Sequence, residues 1–324
     1  MITLQNINKT FRVAKRQAGF GRAVKALFSR EYELVHALAD VSFSIDSGEM
    51  VGYIGPNGAG KSTTIKVMCG ILTPDSGLCD VDGRTPWRER VAHVREIGVV
   101  FGQRSQLWWD VPVADSFELI RDIYGVEEKS YARSLDELTE LLDLAEILKT
   151  PTRSLSLGQR MRCEIAASLL HSPKTLFLDE PTIGLDAVSK IAVRQFIKKL
   201  NTERGTTVIL TTHDMQDIEA LTERVLLIGK GRILLDGSLN ELKRFSSRRK
   251  TLIVEYSGAP PRIAEGMTLA EAKEGRLVIS LDPSRLSVSD AIASLAAQTE
   301  LSDVSVSGAT SEEIVAELYK AYHI

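Results

Sequence analysis

The sequence predicts an α/β fold built on a largely parallel sheet, and three observations lead to it. Short apolar runs with strand character alternate with stretches of helical periodicity as far as Gly237. A glycine-rich loop follows one of those strands and opens a helix. Between Val113 and Leu170 the strands disappear while helical spacing continues, as in Leu135, Leu138, Leu141 and Leu142, which predicts a helical insertion into the sheet domain.

Ala39–Ile45 alternates in the strand manner, Asp46-Ser47-Gly48 reads as a turn, and Glu49–Ile54 is a second strand running into the glycine-rich loop. A helix is expected over Lys61–Cys69, followed by strands at Ile97–Phe101, Thr175–Leu178, Thr207–Thr211 and Arg224–Ile228. After Gly237 the texture changes: Lys243, Arg244, Arg248, Arg249 and Lys250 surround Phe245-Ser246-Ser247, a solvated linker face or a surface for anionic lipid or a partner. A boundary there leaves residues 1–240 as one domain and 241–324 as a small C-terminal α+β domain. The tail reads as strands at Thr251–Tyr256 and Arg276–Leu281, a helix near Ser287–Gln298, a strand at Val304–Val306 and a closing helix from about Ser311. Thr310 and Glu313 have capping-box spacing for that helix.

Composition narrows the function. At 324 residues the chain has room for one large domain and an appendage. Its 40 Lys and Arg against 43 Asp and Glu leave a net charge of -3, so no global field recruits nucleic acid. Cys69, Cys79 and Cys163 have no CxxC spacing, which argues against a zinc site or a disulfide framework and fits a reducing cytoplasm. No apolar run of about eighteen residues occurs and no signal peptide is read at Met1–Lys9, so service to a membrane is expected from outside the lipid.

Two motifs carry chemistry. Gly55-Pro56-Asn57-Gly58-Ala59-Gly60-Lys61-Ser62 matches G-x-x-x-x-G-K-[ST] between a predicted strand and a predicted helix, the context a phosphate loop requires. Backbone amides and the helix N-terminus then face phosphate oxygens, Lys61 reaches the β and γ phosphates, and the Ser62 hydroxyl binds Mg2+. Leu176-Phe177-Leu178-Asp179-Glu180 is an apolar strand ending in two acids whose side chains point to opposite faces. Asp179 suits the magnesium shell, and Glu180 suits the general base that orients a water.

With five further motifs in family order, residues Met1–Gly237 resemble an ABC (ATP-binding cassette) ATPase, most like the drug- and polysaccharide-exporter type. The resemblance implies a P-loop NTPase sheet domain with an antiparallel β subdomain. Gln103 resembles the Q-loop glutamine that touches magnesium and the attacking water. Leu155-Ser156-Leu157-Gly158-Gln159 resembles the LSGGQ signature, with Leu157 where the family usually has glycine. Ile183-Gly184-Leu185-Asp186 resembles the D-loop, and His213 the switch histidine at the γ phosphate. By the same resemblance, ATP is held by Gly55, Asn57, Gly58, Gly60, Lys61, Ser62 and Thr63 of one subunit. Ser156 and Gly158 serve the nucleotide across a head-to-tail dimer, and Gln159 and Asp186 are further nucleotide-binding residues. Ser62, Gln103 and Asp179 hold Mg2+, while Glu180, His213, Gln103 and Lys61 are catalytic. Read from chemistry alone, Ser156 and the amides after it form a second anion site or simply a helix cap.

The resemblance also implies an aromatic residue of the N-terminal strand stacked on adenine, for which Phe11 is the matching candidate, with Tyr32 as the runner-up and a core phenylalanine as the alternative. Arg12, Lys15, Arg16, Arg22, Lys25 and Arg30 accompany Phe20, Val24, Leu27 and Phe28 at helical spacing, predicting a basic amphipathic helix that lies on headgroups, docks on a permease or packs on its own domain. The pair Trp108-Trp109 follows Gln103 closely and reads as an interface anchor for a permease or, for one ring, as core.

The resulting expectation is an ATP-hydrolysing subunit working at the cytoplasmic face of the cell membrane. Its partners are a second copy of itself or a paralogous ATPase subunit, together with integral-membrane permease subunits. A soluble ABC ATPase of translation or DNA maintenance would call for two cassettes, a long coiled coil or a basic nucleic-acid surface, and none is read here.

Overall fold

Leu176, Phe177 and Leu178 are wholly buried in the middle of strand β6 (Thr175–Asp179), and that run explains the central sheet: strands covered on both faces read as continuous apolar stretches rather than alternating ones. The computed structural model describes residues 1–14, 32–102, 104–212, 214–241, 250–308 and 319. The chain divides into two compact units, Met1–Gly237 and Ser238–Ile324.

In the first unit β1 (Ile2–Ala14), β2 (Tyr32–Ile45) and β4 (Ser76–Val81) form an antiparallel sheet in the order β2-β1-β4. A second sheet has the order β5-β6-β7-β3-β8-β9, from β3 (Met50–Ile54), β5 (Ile97–Phe101), β6 (Thr175–Asp179), β7 (Thr207–Thr211), β8 (Arg224–Gly229) and β9 (Arg232–Ser238). Its pairings from β5 through to β8 are parallel. Ile2, Leu4 and Ile7 of β1 and Val41 and Ile45 of β2 form one core with Tyr53, Ile65 and Phe177.

Helices α1 (Lys61–Met68) and α2 (Arg90–Val94) precede the insertion, which is helical as predicted: α3 (Val113–Tyr124), α4 (Glu128–Leu141), a 3-10 turn at Thr152–Ser154 and α5 (Leu157–Leu169). α6 (Ala187–Arg204) and α7 (Met215–Leu221) complete the unit. The expected basic amphipathic helix needs correction at its ends. Arg12 belongs to β1 and Tyr32 to β2, with Arg12 paired to Leu34, so backbone pairing overrides helical spacing there. The rest of that stretch, residues 15–31, lies outside the described residues, as does the basic linker from Lys243 to Arg249.

The second unit contains an antiparallel sheet in the order β11-β12-β10-β13, formed by β10 (Lys250–Ser257), β11 (Met267–Lys273), β12 (Arg276–Leu281) and β13 (Glu300–Gly308). Leu252, Val254, Ile279 and Leu281 pack there with Ala291 and Leu295 of α8 (Val288–Ala296). Ser287 caps α8 by accepting from the Asp290 amide at 3.1 Å. Of the expected closing helix only Tyr319 is described, and it is helical.

Candidate active site

The parallel strands bring their carboxyl ends to one edge of the sheet, and the loop 55–60 leaves β3 there to start α1. Gly60 has φ 115°, and a Cβ on it would come within 2.7 Å of the Ala37 carbonyl oxygen, so the loop closes only with glycine at this point. Asn57 and Gly58 are exposed at the loop tip, and Thr63 is half-buried on the first turn of α1. Thr64 anchors the turn by donating to the Gly60 carbonyl at 3.1 Å, and its hydroxyl meets that of Tyr53 at 3.0 Å. Lys61 is buried and donates to the carbonyls of Gly55 at 2.6 Å and Pro56 at 3.2 Å. Burial pulls its pKa down, while Glu180 and Asp179 pull it back up.

The Ser62 hydroxyl points to Asp179 Oδ1 at 3.4 Å, and the Thr211 hydroxyl donates to the same oxygen at 2.5 Å. One residue on, Glu180 takes φ 56°, and its amide donates to the Thr211 carbonyl at 2.9 Å. A glutamate in that region is held by its surroundings, here by the β5 side of the sheet. Gly102 donates to the Asp179 carbonyl at 2.8 Å, and a Cβ at Gly102 would meet the Glu180 carbonyl oxygen at 2.3 Å. Gly55, Asn57, Ser62, Asp179, Glu180 and Arg104 are among the residues lining a cleft of about 740 Å³.

Other predicted residues lie off that lining. Ser156 caps α5 in a complete capping box: its oxygen accepts from the Gln159 amide at 3.2 Å, and its own amide donates to Gln159 Oε1 at 2.9 Å. Gly158 is buried behind it, where an added Cβ would come within 2.6 Å of Ser189 Oγ. Leu157 Cδ2 lies only 2.7 Å from where a Cβ on Gly184 would stand. Asp186 caps α6, accepting from the Ser189 amide and hydroxyl, both at 2.9 Å, bonds that hold its carboxyl below the usual range. Phe11 is half-buried in β1 opposite Val35, with Lys9 Nζ 5.8 Å from its ring centre, and Tyr32 is exposed. Gln103 and His213 lie outside the described residues.

Trp108 and Trp109 are 44% and 51% exposed, so neither ring is core. Arg160 of α5 lies over Trp109 at 5.8 Å.

Sequence reasoning missed a buried charge cluster behind the two strand ends. Asp217 of α7 is fully buried, accepts from the hydroxyls of Thr182 and Thr212, and pairs with Arg194 of α6 at 2.5 Å. Nothing in the helical pattern of Met215, Ile218 and Leu221 separates this acid from a solvated one.

The family profile described as ABC transporter matches residues 38–183. The ABC transporter ATP-binding protein NatA of Bacillus subtilis (strain 168) is 30% identical over 215 residues, covering 66% of this chain and 87% of NatA. The chain belongs to the ABC transporter family. The daunorubicin resistance ATP-binding protein DrrA3 of Streptomyces coeruleorubidus is 35% identical over 207 residues, which span 64% of this ABC protein and 65% of DrrA3. Among solved structures, the dimeric post-hydrolysis state of the ATP-binding cassette MJ0796 bound to ADP and Pi superposes with a TM-score of 0.62 at 27% identity, covering 74% of this chain and 99% of that one. As an ABC ATPase the chain hydrolyses ATP with Mg2+.

The residues present fit that metal. Among the described residues no group of three His, Cys, Asp or Glu side chains is placed to hold a metal ion. Mg2+ asks for less: one or two hard oxygen ligands beside phosphate and water, which Ser62 and Asp179 offer side by side. No described helix is long and apolar enough to cross a membrane.

Proposed function

We propose that this chain is the motor subunit of an exporter-type ABC transporter, driven by ATP-dependent closure of a head-to-tail dimer beneath separate permease subunits at the cytoplasmic face of the membrane. One observation carries the reading: the capped N-terminus of α5, with Ser156 and Gly158, lies off the cleft that contains Ser62, Asp179 and Glu180. A second anion-binding helix end not used within its own subunit is available to a nucleotide held by another. The resistance protein DrrA3 among the relatives supports the exporter direction.

In this mechanism Phe11 stacks on the adenine, and the amides from Gly55 through Thr63 cradle the phosphates. Lys61 is released from its loop carbonyls to the β and γ phosphates. Ser62, Asp179 and Gln103 would hold Mg2+, which when bound would supply neutralisation of the charge that develops on the phosphates. Glu180 orients and deprotonates the attacking water, and His213 steadies the γ phosphate. Ser156, Gly158, Gln159 and Asp186 close the site from the opposite subunit, and closure excludes water.

Light scattering of the Glu180→Gln variant tests the reading. ATP with Mg2+ should double its molar mass, and a mass unchanged by ATP at high protein concentration defeats ATP-driven closure of a homodimer.

A further inference from the structure

Glu164 lies two turns into α5, the helix opened by Ser156, and is 4% exposed. A carboxylate so placed costs stability unless hydrogen bonds satisfy it. They do, and all of them come from one short segment. The Ser105 hydroxyl donates to Glu164 Oε1, and the Gln106 amide donates to Oε2 at 3.1 Å. The Gln106 side chain donates to the Glu164 main-chain carbonyl at 2.9 Å. Burial pushes the carboxyl pKa up, and these hydrogen bonds oppose it.

The same segment is fastened at its far end to the residues that lead into α5. Arg153 donates its amide to the Trp109 carbonyl at 3.0 Å, and Thr152 donates its own to Val111 at 3.2 Å. Arg153 also pairs with Asp110 at 2.8 Å, and Arg160 covers the Trp109 ring. Residues 105–111, which carry both exposed tryptophans, are thus bound at two ends to the stretch 152–164. Of these fastenings the one at Glu164 is built on a buried charged side chain; Thr152, also buried, contributes a backbone amide, and between the two ends Trp108 donates its amide to Ser116 of α3 at 3.1 Å. Charged pairs at the exposed end are worth little by comparison, whereas removing a hydrogen-bonded buried carboxylate leaves donors unsatisfied.

We infer that Glu164 is a positioning residue, a latch that makes the Trp108-Trp109 surface move with the α5 helix when that helix engages nucleotide. The inference rests on the proposed dimer reading for the engagement itself, but the latch exists within one subunit. It gives the surface a mechanical link to nucleotide through α5, in addition to the chain connection through Gln103.

Hydrogen exchange of the full-length chain tests it, with Glu164→Gln, Glu164→Ala and Ser105→Ala each made alone and in the Glu180→Gln background. Without ATP, Glu164→Ala and Ser105→Ala should raise exchange across 104–109 by about tenfold, the size expected for losing hydrogen bonds to a charged group, and leave α3 unchanged. Glu164→Gln, which keeps an acceptor for Ser105, should fall between. With ATP and Mg2+, the Glu180→Gln parent should gain protection both at 155–160 and at 104–109. The two latch variants should keep the first gain, their dimerisation and, in otherwise unmutated protein, basal ATPase, but lose the second. An ATP response at 104–109 that survives in both variants overturns the latch, as does unaltered exchange there without ATP. A parent that never gains protection at 155–160 nor changes mass defeats the dimer reading instead, while the ATP-free comparison still judges the latch.

Discussion

The Ser62 hydroxyl and the Asp179 carboxylate stand 3.4 Å apart although 117 residues separate them. The first opens α1 and the second closes β6, so the pair exists only because the parallel sheet brings both strand ends to the same edge. Thr211 holds the shared oxygen of Asp179 from the intervening strand β7.

That third residue gives the first prediction. Thr211→Val keeps the shape and removes the hydroxyl that orients Asp179. Loss of such an outer partner commonly costs about 10–100-fold in metal affinity or activity. The Mg2+ concentration giving half-maximal ATPase should rise accordingly while metal-free ATP binding holds, and an unchanged Mg2+ titration removes Thr211 from the site.

Glu180→Gln should cut steady-state turnover by about 10²–10⁴-fold, the usual cost of losing base catalysis, with ATP still bound. Turnover and retained nucleotide measured on the same sample check it. Wild-type turnover would end the assignment of Glu180 as base.

Gly102→Ala should act on the same residue from behind. The added methyl has to displace the Glu180 carbonyl, 2.3 Å from its position, so turnover should fall more than ATP affinity. Equal losses in both would point to general disruption of the cleft.

Because Trp108 and Trp109 are about half exposed, alanine at either should leave melting near wild type, unlike a buried aromatic, whose loss costs about 3–5 kcal/mol. Binding to the proposed permease partner should instead weaken by about 2 kcal/mol or more, as for an interface anchor. Melting curves and co-purification of the two single variants separate these outcomes, and a large drop in melting temperature in both counts against a docking surface.

Stability should decline on acidification because of one buried histidine, His93, and one half-buried histidine, His171. His93 bonds the Met68 carbonyl at 2.8 Å; His171 bonds that of Ile97 at 2.9 Å and stacks on Tyr124. Burial lowers both pKa values from 6.5, so the folded state prefers neutral rings. Their contribution is complete above 6.5 and is lost as pH falls through the lower folded-state values. Melting followed from about pH 8 to about pH 5.5 should show the fall, and His171→Phe, which keeps the stack on Tyr124, should flatten it. An identical slope in that variant exonerates His171.

Much of the first unit was legible because its strands and loops obey local rules. Ile97–Phe101 and Thr207–Thr211 were predicted to the residue, since each is an apolar run bounded by turn or polar residues. β11 was not, because Leu269-Ala270-Glu271-Ala272-Lys273 is rich in helix formers and becomes a strand only by pairing with β12. β2 was cut short at Ala39 because Tyr32–Leu38 extends as a hairpin arm whose outer side chains are exposed, without the alternation that marks a half-buried strand. In the site, the phosphate loop and the adjacent acids carry spacing that needs no tertiary knowledge. Thr211, Asp217 and Glu164 carry none; each matters only through partners that other elements bring to it.

The contact of Leu157 with Gly184 reaches beyond a single molecule to the record of descent. Leu157 fills the space a side chain at position 184 would need, and Gly184 itself sits at φ 71°. The left-handed backbone at 184 already favours glycine, with asparagine next, whatever stands at 157; Leu157 adds a second demand, since a side chain at 184 requires its terminal methyl to turn aside, a demand that glycine at 157 would lift. A signature that departs from the common form thereby tightens the constraint on a neighbour 27 positions downstream in the chain, and substitutions at 184 should be rarer in lineages that keep leucine at 157.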